Sequence, residues 1–215
     1  MQTITYIALF QSFLPLLYYW YTKKTLKQEC KPILPFIYLC FIASLYELTF
    51  TFVLKIGATV WFYVYDFLAF FTIQYFFYYV LNKKIKQFVW VSSFLYVLMF
   101  LYFVFHHTIE KHLDYIAYLE VFTTVLVIYY AIVWFKKAFM ETEFVSLTQN
   151  PNFYFVSGFI LYYAGTIFMY LLANSMYINH REFITHYWML NIYFNIFHKT
   201  LLIIGLWKLQ KQLTK

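Results

Sequence analysis

The chain has 215 residues, of which 64% are hydrophobic, 27% aromatic and only 12% charged, with a formal net charge of +7. A soluble domain has about a quarter of its residues charged, so this composition excludes an ordinary soluble protein and predicts a membrane protein. With only four glycines and four prolines, the chain is neither disordered nor rich in loops. A β-barrel would show shorter segments of alternating hydrophobicity, so we expect helices.

Seven apolar segments follow one another, separated by charge clusters and polar turns. They cover approximately residues 3–22, 32–54, 58–81, 88–106, 113–135, 153–177 and 184–207. Several reach the roughly 20 residues that a helix needs to cross hydrocarbon about 30 Å thick. The first segment lacks a basic front and a small-residue cleavage site, so we interpret it as a span rather than a signal peptide. The sequence therefore predicts an all-α, polytopic fold, a single seven-helix transmembrane domain over residues 1–215.

The lysines predict the orientation of this bundle. One set of alternate loops, together with the C-terminal tail, carries Lys23, Lys24, Lys27, Lys31, Lys83, Lys84, Lys86, Lys136, Lys137, Lys208, Lys211 and Lys215. The opposite loops carry only Lys55, Lys111 and Arg181. By the positive-inside rule the N-terminus lies outside and the C-terminus inside, in a multi-pass protein of the cell inner (plasma) membrane. A lysine collar beside anionic headgroups accounts for the net charge, so the lipid bilayer is a partner and no nucleic acid is required.

Three of the nine acidic residues fall inside predicted spans, namely Glu47, Asp66 and Glu120. Ionisable groups in a membrane are costly and usually face the bundle interior or a watery cavity, which makes them candidates for function. From the helical rise, Glu47 and Asp66 lie roughly 12 Å below the outer surface and Glu120 about 9 Å below it. Ser44 shares the face of Glu47 on the second helix.

The last helix carries a polar stripe. Asn191, Asn195 and His198 fall at i, i+4 and i+7, and Lys199 continues the stripe from Asn195 at i+4. We expect an outward-opening pocket lined by Ser44, Glu47, Asp66, Glu120, Asn191 and Asn195, with His198 and Lys199 at its floor. Two other interpretations stay open: these groups satisfy one another by interhelical hydrogen bonds, or the long Lys199 side chain reaches the cytoplasmic headgroups.

Two segments, NPNFYFVSGFILYYAGTIF and IFHKTLLIIGLWKLQKQ, resemble a poorly characterised family of small bacterial seven-helix membrane proteins associated with sensor histidine kinases. The resemblance covers the topology and these two segments. It implies a sensory or signalling module. Because the chain carries no kinase domain of its own, the resemblance also implies that a signal passes to a separate protein, such as a histidine kinase.

Enzyme and cofactor alternatives were weighed against this interpretation. A rhodopsin-like retinal site would pair Lys199 with Asp66, but Lys199 lies several ångströms deeper by the helical rise. A ceramidase-like lipid hydrolase would use zinc held by three histidines. However, His186 and His198 are about 18 Å apart along a helix and cannot share one metal ion at about 2.1 Å. We therefore expect no catalytic residues, no metal site and neither retinal nor zinc, with the hydrolase or a small proton-coupled transporter as the alternatives to a sensor.

Overall fold

The computed structural model describes residues 2–26, 28–56, 59–106, 112–141, 146–179 and 184–214. Within these ranges the chain forms seven α-helices and no strand. They are α1 (Gln2–Leu26), α2 (Leu34–Tyr46), α3 (Thr59–Val80), α4 (Lys83–Phe105), α5 (His112–Glu141), α6 (Pro151–Asn179) and α7 (Ile184–Leu213). A π-helix, Glu47–Val53, continues α2, and a short 3₁₀ turn, Leu147–Gln149, precedes α6.

Six stretches of these helices are long and apolar enough to cross a membrane, among the residues that the structure describes. They are Leu34–Val53, Val60–Val80, Ile85–Phe105, Asp114–Met140, Pro151–Leu172 and Trp188–Leu213. The predicted all-α, multi-pass membrane bundle is thereby confirmed. Helix α1 is long enough but is not among the six, because its glutamine, proline, threonine and tyrosine residues lower its mean hydropathy.

The π-helix is a local feature that the sequence pattern did not predict. Its widened turn is shown by the Leu54 amide, which donates to the Thr49 carbonyl five residues earlier at 3.0 Å. The extra residue shifts the register of the following side chains by about one position. Phe52 therefore occupies the face of Glu47, where uninterrupted α-helical spacing would place Thr51.

Helix α7 packs along both α1 and α6, and α5 covers the other side of α6. Two side chains of α1 bind α7: Gln11 Nε2 donates to the Ile196 carbonyl at 3.1 Å and to Thr200 Oγ1 at 2.7 Å, and the Tyr18 hydroxyl donates to Gln210 Oε1. These bonds satisfy polar groups that hydrocarbon could not, and they fix α1 against α7 over most of its length.

Glycines bring α6 and α7 close together. A Cβ atom at Gly165 would overlap the Phe194 ring, and a Cβ atom at Gly205 would overlap the Phe155 ring. Small residues at helix interfaces let backbones approach in membranes, where packing rather than the hydrophobic effect holds helices together. The α6–α7 contact is therefore specified by aromatic rings that lie against bare backbone.

Aromatic side chains fill the bundle at the end that holds the lysine collar. The run QYFFYYV of α3 places Phe76 and Phe77 in the fully buried core, where both rings contact Phe159 of α6 and Phe77 also contacts Tyr130 of α5. Nearby, Gln74 donates to Ser92 at 3.3 Å, and Ser92 shares a 2.8 Å hydrogen bond with the Tyr130 hydroxyl. This half of the bundle is closed by packed rings and an internal polar network.

Both cysteines are free thiols. Cys30 lies in the turn between α1 and α2, outside the membrane-spanning segments, and is wholly buried. Burial, and secondarily the neighbouring Glu29 carboxylate, raise the pKa of the Cys30 thiol to about 12. It therefore stays protonated and packs as a small apolar side chain.

The close contact at Gly165 predicts that a larger side chain there destabilises the protein. Gly165→Val forces the Phe194 ring aside, and we expect it to lower the free energy of unfolding by about 1–3 kcal/mol, the usual cost of overpacking. Ala164→Val introduces the same side chain at the neighbouring exposed position and serves as the control. Thermal unfolding of the purified proteins in detergent measures both; equal midpoints for the two variants would contradict the proposed contact.

Candidate functional site

A cavity of about 590 Å³ opens within the bundle. Its lining comes from the first half of α1, the second half of α2 with the π-helix, the first half of α3, Ile116 of α5, the second half of α6 and the first half of α7. Because consecutive helices joined by short connections run in opposite directions, these halves all lie at one end of the bundle. That end is opposite to the lysine collar and the aromatic core.

The structure brings six of the eight predicted pocket residues together. Ser44, Glu47, Asp66, Asn191, Asn195 and Lys199 all line the cavity. They come from three helices: two from α2 and the π-helix, one from α3 and three from α7. The asparagines and Lys199 follow one another at intervals of four residues, so they form a continuous stripe along α7.

Lys199 faces the bundle interior and does not reach the headgroups. Its side chain is only 3% exposed, and its Nζ atom donates to the Cys40 sulfur at 2.7 Å. The Phe36 ring lies 5.5 Å from the ammonium, and Glu47 is close enough to interact with it electrostatically. Within the described part of the chain no carboxylate forms an ion pair with Lys199, so a buried cation sits at the inner end of the cavity with a thiol as its hydrogen-bond partner.

His198 is not at the cavity floor, contrary to our expectation. It is 2% exposed and lies among the rings of Phe36, Phe159 and Tyr162, at centroid distances of 5.2–5.5 Å. Gly158 leaves the room for it, since a Cβ atom there would lie 3.0 Å from His198 Cδ2. The i+7 spacing from Asn191 therefore turns His198 toward α2 and α6, while the i+8 position, Lys199, enters the cavity.

Glu120 also lies outside the cavity lining, but it is joined to it through Asp66. The side chains of Asp66 on α3 and Glu120 on α5 are hydrogen-bonded to each other. Glu120 is 8% exposed, and no other described residue donates a hydrogen bond to its Oε2 atom. A hydrogen bond between two carboxyl groups requires a proton, and adjacent like charges cannot both persist in a buried site. The pair therefore holds at least one proton.

Tyrosines surround this acid pair. The Tyr96 hydroxyl of α4 donates to the Asp66 carbonyl at 3.3 Å, and the hydroxyl groups of Tyr162 and Tyr170 on α6 are hydrogen-bonded to each other. Hydroxyl groups are neutral dipoles at physiological pH. They give the acids a polar environment without supplying a compensating positive charge.

Two amide oxygens of the α7 stripe have no hydrogen-bond partner among the residues that the structure describes. The Oδ1 atoms of Asn191 and Asn195 are buried and accept no hydrogen bond. An unpaired buried polar atom costs about 1–3 kcal/mol, so their presence needs an explanation. Both residues line the cavity, so a rotation of either side chain would turn its acceptor toward a ligand there.

Aromatic side chains form much of the remaining wall. The rings lining the cavity belong to Phe52, Trp61, Phe62, Tyr65, Tyr162, Tyr170 and Trp188. Tyr46 stacks on Trp61 at 4.2 Å and on Phe50 at 4.7 Å, which ties the π-helix to the start of α3. The spacing of the polar residues gave no indication that these rings line the cavity.

Helix α1 was also missed as part of the site. Thr5, Ala8, Leu9 and Ser12 line the cavity. The signal was present in the sequence, since Thr5, Ala8 and Ser12 form a stripe of small residues at i, i+3 and i+7. Cys40 of α2 contacts Lys199 across the bundle, and local spacing in the sequence does not encode this contact.

No group of three or more histidine, cysteine, aspartate or glutamate residues that could hold a metal ion occurs among the residues placed by the structure. Searches among protein families, curated proteins and solved structures gave no match to this chain. The resemblance to kinase-associated membrane proteins and the expectation of no cofactor therefore stay predictions.

Because the Asn195 amide oxygen is buried without a partner among the described residues, we expect an apolar residue at this position to stabilise the folded protein. Asn195→Leu removes a buried acceptor without a partner, and we expect it to raise the free energy of unfolding by about 1 kcal/mol. Tyr18→Phe, which deletes the hydrogen bond to Gln210, is the control and should lower it by about 0.6 kcal/mol. Thermal unfolding distinguishes them: a destabilised Asn195→Leu protein would show that Oδ1 is paired in the folded state.

Proposed function

We propose that the protein is a sensory or signalling module of the bacterial inner membrane, which binds a small ligand or lipid in the cavity and relays binding to a separate partner protein. All seven helices cross the membrane in this proposal, with the N-terminus outside. The observation that carries it is the cavity itself, where a buried ammonium, carboxyl groups and unpaired amide oxygens meet aromatic walls. Concave sites with few polar groups on an apolar lining are typical of small-molecule binding.

The charge distribution supports an outward-facing cavity. The basic residues concentrate in the connections and tail at the opposite end of the bundle, which the positive-inside rule assigns to the cytoplasm. A ligand would thus enter from the outer side, near Thr5, Phe52 and Trp188.

Helix α7 supports the relay. It lines the cavity from Trp188 to Lys199 and continues to Leu213 at the basic end. Because its contact with α6 depends on rings packed against glycines, and interdigitated packing has discrete arrangements, a displacement at the cavity would be carried along the helix. The exposed residues Lys211 and Gln212 place the last turn where a cytoplasmic partner, such as a histidine kinase, could contact it.

A proton-coupled transporter is the second candidate, and the Asp66–Glu120 pair is the observation that favours it, because such relays use intramembrane acids. Transport would require the cavity to open at the basic end as well. There the core of Phe76, Phe77 and Phe159 closes the bundle, which favours binding and signalling over passage.

The topology is tested with reporter fusions. Green fluorescent protein fused after residue 215 should fluoresce, and alkaline phosphatase inserted at residues 54–56 should be active, because the first site is cytoplasmic and the second lies outside. The exchanged fusions are the controls and should be silent. The reverse pattern would contradict the orientation.

Ligand binding is tested by filling the cavity. Ala43 lines the cavity, whereas Ala164 is exposed on the outside of α6. Native mass spectrometry of the protein purified from its own membranes should show a bound small molecule in the wild type and in Ala164→Phe, and its loss in Ala43→Phe, because the added ring occupies the cavity.

The proposed relay to a partner protein is tested with the same variants. A photo-crosslinker at Lys211 should give a protein adduct in cells whose yield differs between wild type and Ala43→Phe but not between wild type and Ala164→Phe. Identical bound masses in all three proteins would contradict the binding proposal. Identical crosslinking would contradict the relay alone.

A further inference from the structure

The polar lining of the cavity includes several hydrogen-bond acceptors. Carboxyl groups come from Glu47 and Asp66, and the unpaired amide oxygens come from Asn191 and Asn195. Lys199 also borders the cavity and donates one of its N–H groups to Cys40. The unpaired acceptors favour a ligand with N–H groups, and the carboxyl groups favour a positive charge on it.

The aromatic wall favours the same charge. Trp61 and Trp188 line the cavity together with Phe62 and Tyr170. Indole and phenyl rings attract cations through their negative faces, with tryptophan the best of them. The rings also offer apolar surface to whatever carries the charge. Acceptors and aromatic faces in one cavity are the combination that recognises an organic cation with an apolar body.

The position of Lys199 orients such a cation. Its ammonium lies at the inner end, next to Cys40, and interacts electrostatically with Glu47. Like charges repel, so a second cation is held away from the inner end. Asp66, which is hydrogen-bonded to Glu120 and forms no ion pair among the described residues, is left as the carboxyl group that a cation can contact.

We propose that the ligand is a small organic ammonium, a primary amine with an apolar body, whose N–H groups bind Asp66 and the amide oxygens of Asn191 and Asn195. The cavity of about 590 Å³ lies within the range of about 300–1,000 Å³ that holds small molecules. This inference rests on the proposed function, since it names the ligand class for the same cavity.

Three probes of nearly equal size separate charge from shape. They are 2-phenylethylamine as the cation, 2-phenylethanol as its neutral counterpart and 3-phenylpropanoate as the anion. Thermal unfolding of the full chain in lipid nanodiscs is followed against the concentration of each probe, because a ligand that binds only the folded state raises the midpoint as its concentration exceeds Kd. We expect the amine alone to raise it.

Variants assign the effect to the cavity. Asp66→Asn should weaken binding of the amine at least tenfold, the scale of a lost hydrogen bond to a charged group. Lys199→Gln should strengthen it by removing a like charge. Glu29→Gln, which removes an acid outside the cavity, should leave it unchanged. Glu47→Gln should also weaken binding of the amine. It replaces Asp66→Asn in the test if the Asp66→Asn protein does not fold.

The other outcomes overturn the inference. Equal stabilisation by the amine and the alcohol would show that the cavity does not recognise charge. Stabilisation by the anion alone, lost in Lys199→Gln, would make the cavity an anion site. No stabilisation by any probe would exclude the amine class, and a bound mass lost in Ala43→Phe would then show that the binding function itself still stands.

Discussion

Hydrocarbon offers no hydrogen-bonding partner, and this constraint governs where every polar side chain of the bundle lies. The chain meets it in pairs that join different helices: Asp66 with Glu120, Lys199 with Cys40, and Gln11 with Thr200. Each pair draws two helices together around a polar contact and leaves apolar residues facing outward. The order of helices around the bundle is thus tied to the partners that these few groups can reach.

The same constraint makes the two ends of the bundle different. At the basic end, large rings such as Phe76, Phe77 and Phe159 are fully buried and pack against one another. At the other end several facing positions of α1 and α2 are small, among them Ala8, Ser12, Ala43 and Ser44, and the π-helix widens the end of α2. Small side chains opposite one another cannot fill the space between helices, so the polar groups at this end border a cavity.

The helices and their membrane character could be predicted from the sequence, because apolar length and charge clusters are local properties of the chain. Facing polar residues could be grouped for the same reason: the four-residue spacing of Asn191, Asn195 and Lys199 is a property of one helix. The direction of the His198 side chain could not be predicted from the sequence, since it was decided by the space at Gly158 on another helix. The π-helix could not be predicted either, because it depends on how α2 meets α3. Its displaced register places Phe52 in the cavity.

The acid pair connects the cavity to the proton concentration. Asp66 belongs to the cavity and Glu120 lies behind it, and the hydrogen bond between them keeps a proton beside the cavity. A cation that binds Asp66 competes with that proton for the same negative charge, and binding and proton release are then reciprocal by linkage. Glu120 Oε2, to which no described residue donates a hydrogen bond, would be the atom that retains the proton if Asp66 binds a cation. In the proposed site the buried glutamate would thus act on the cavity without lining it, because it would set how much negative charge Asp66 presents.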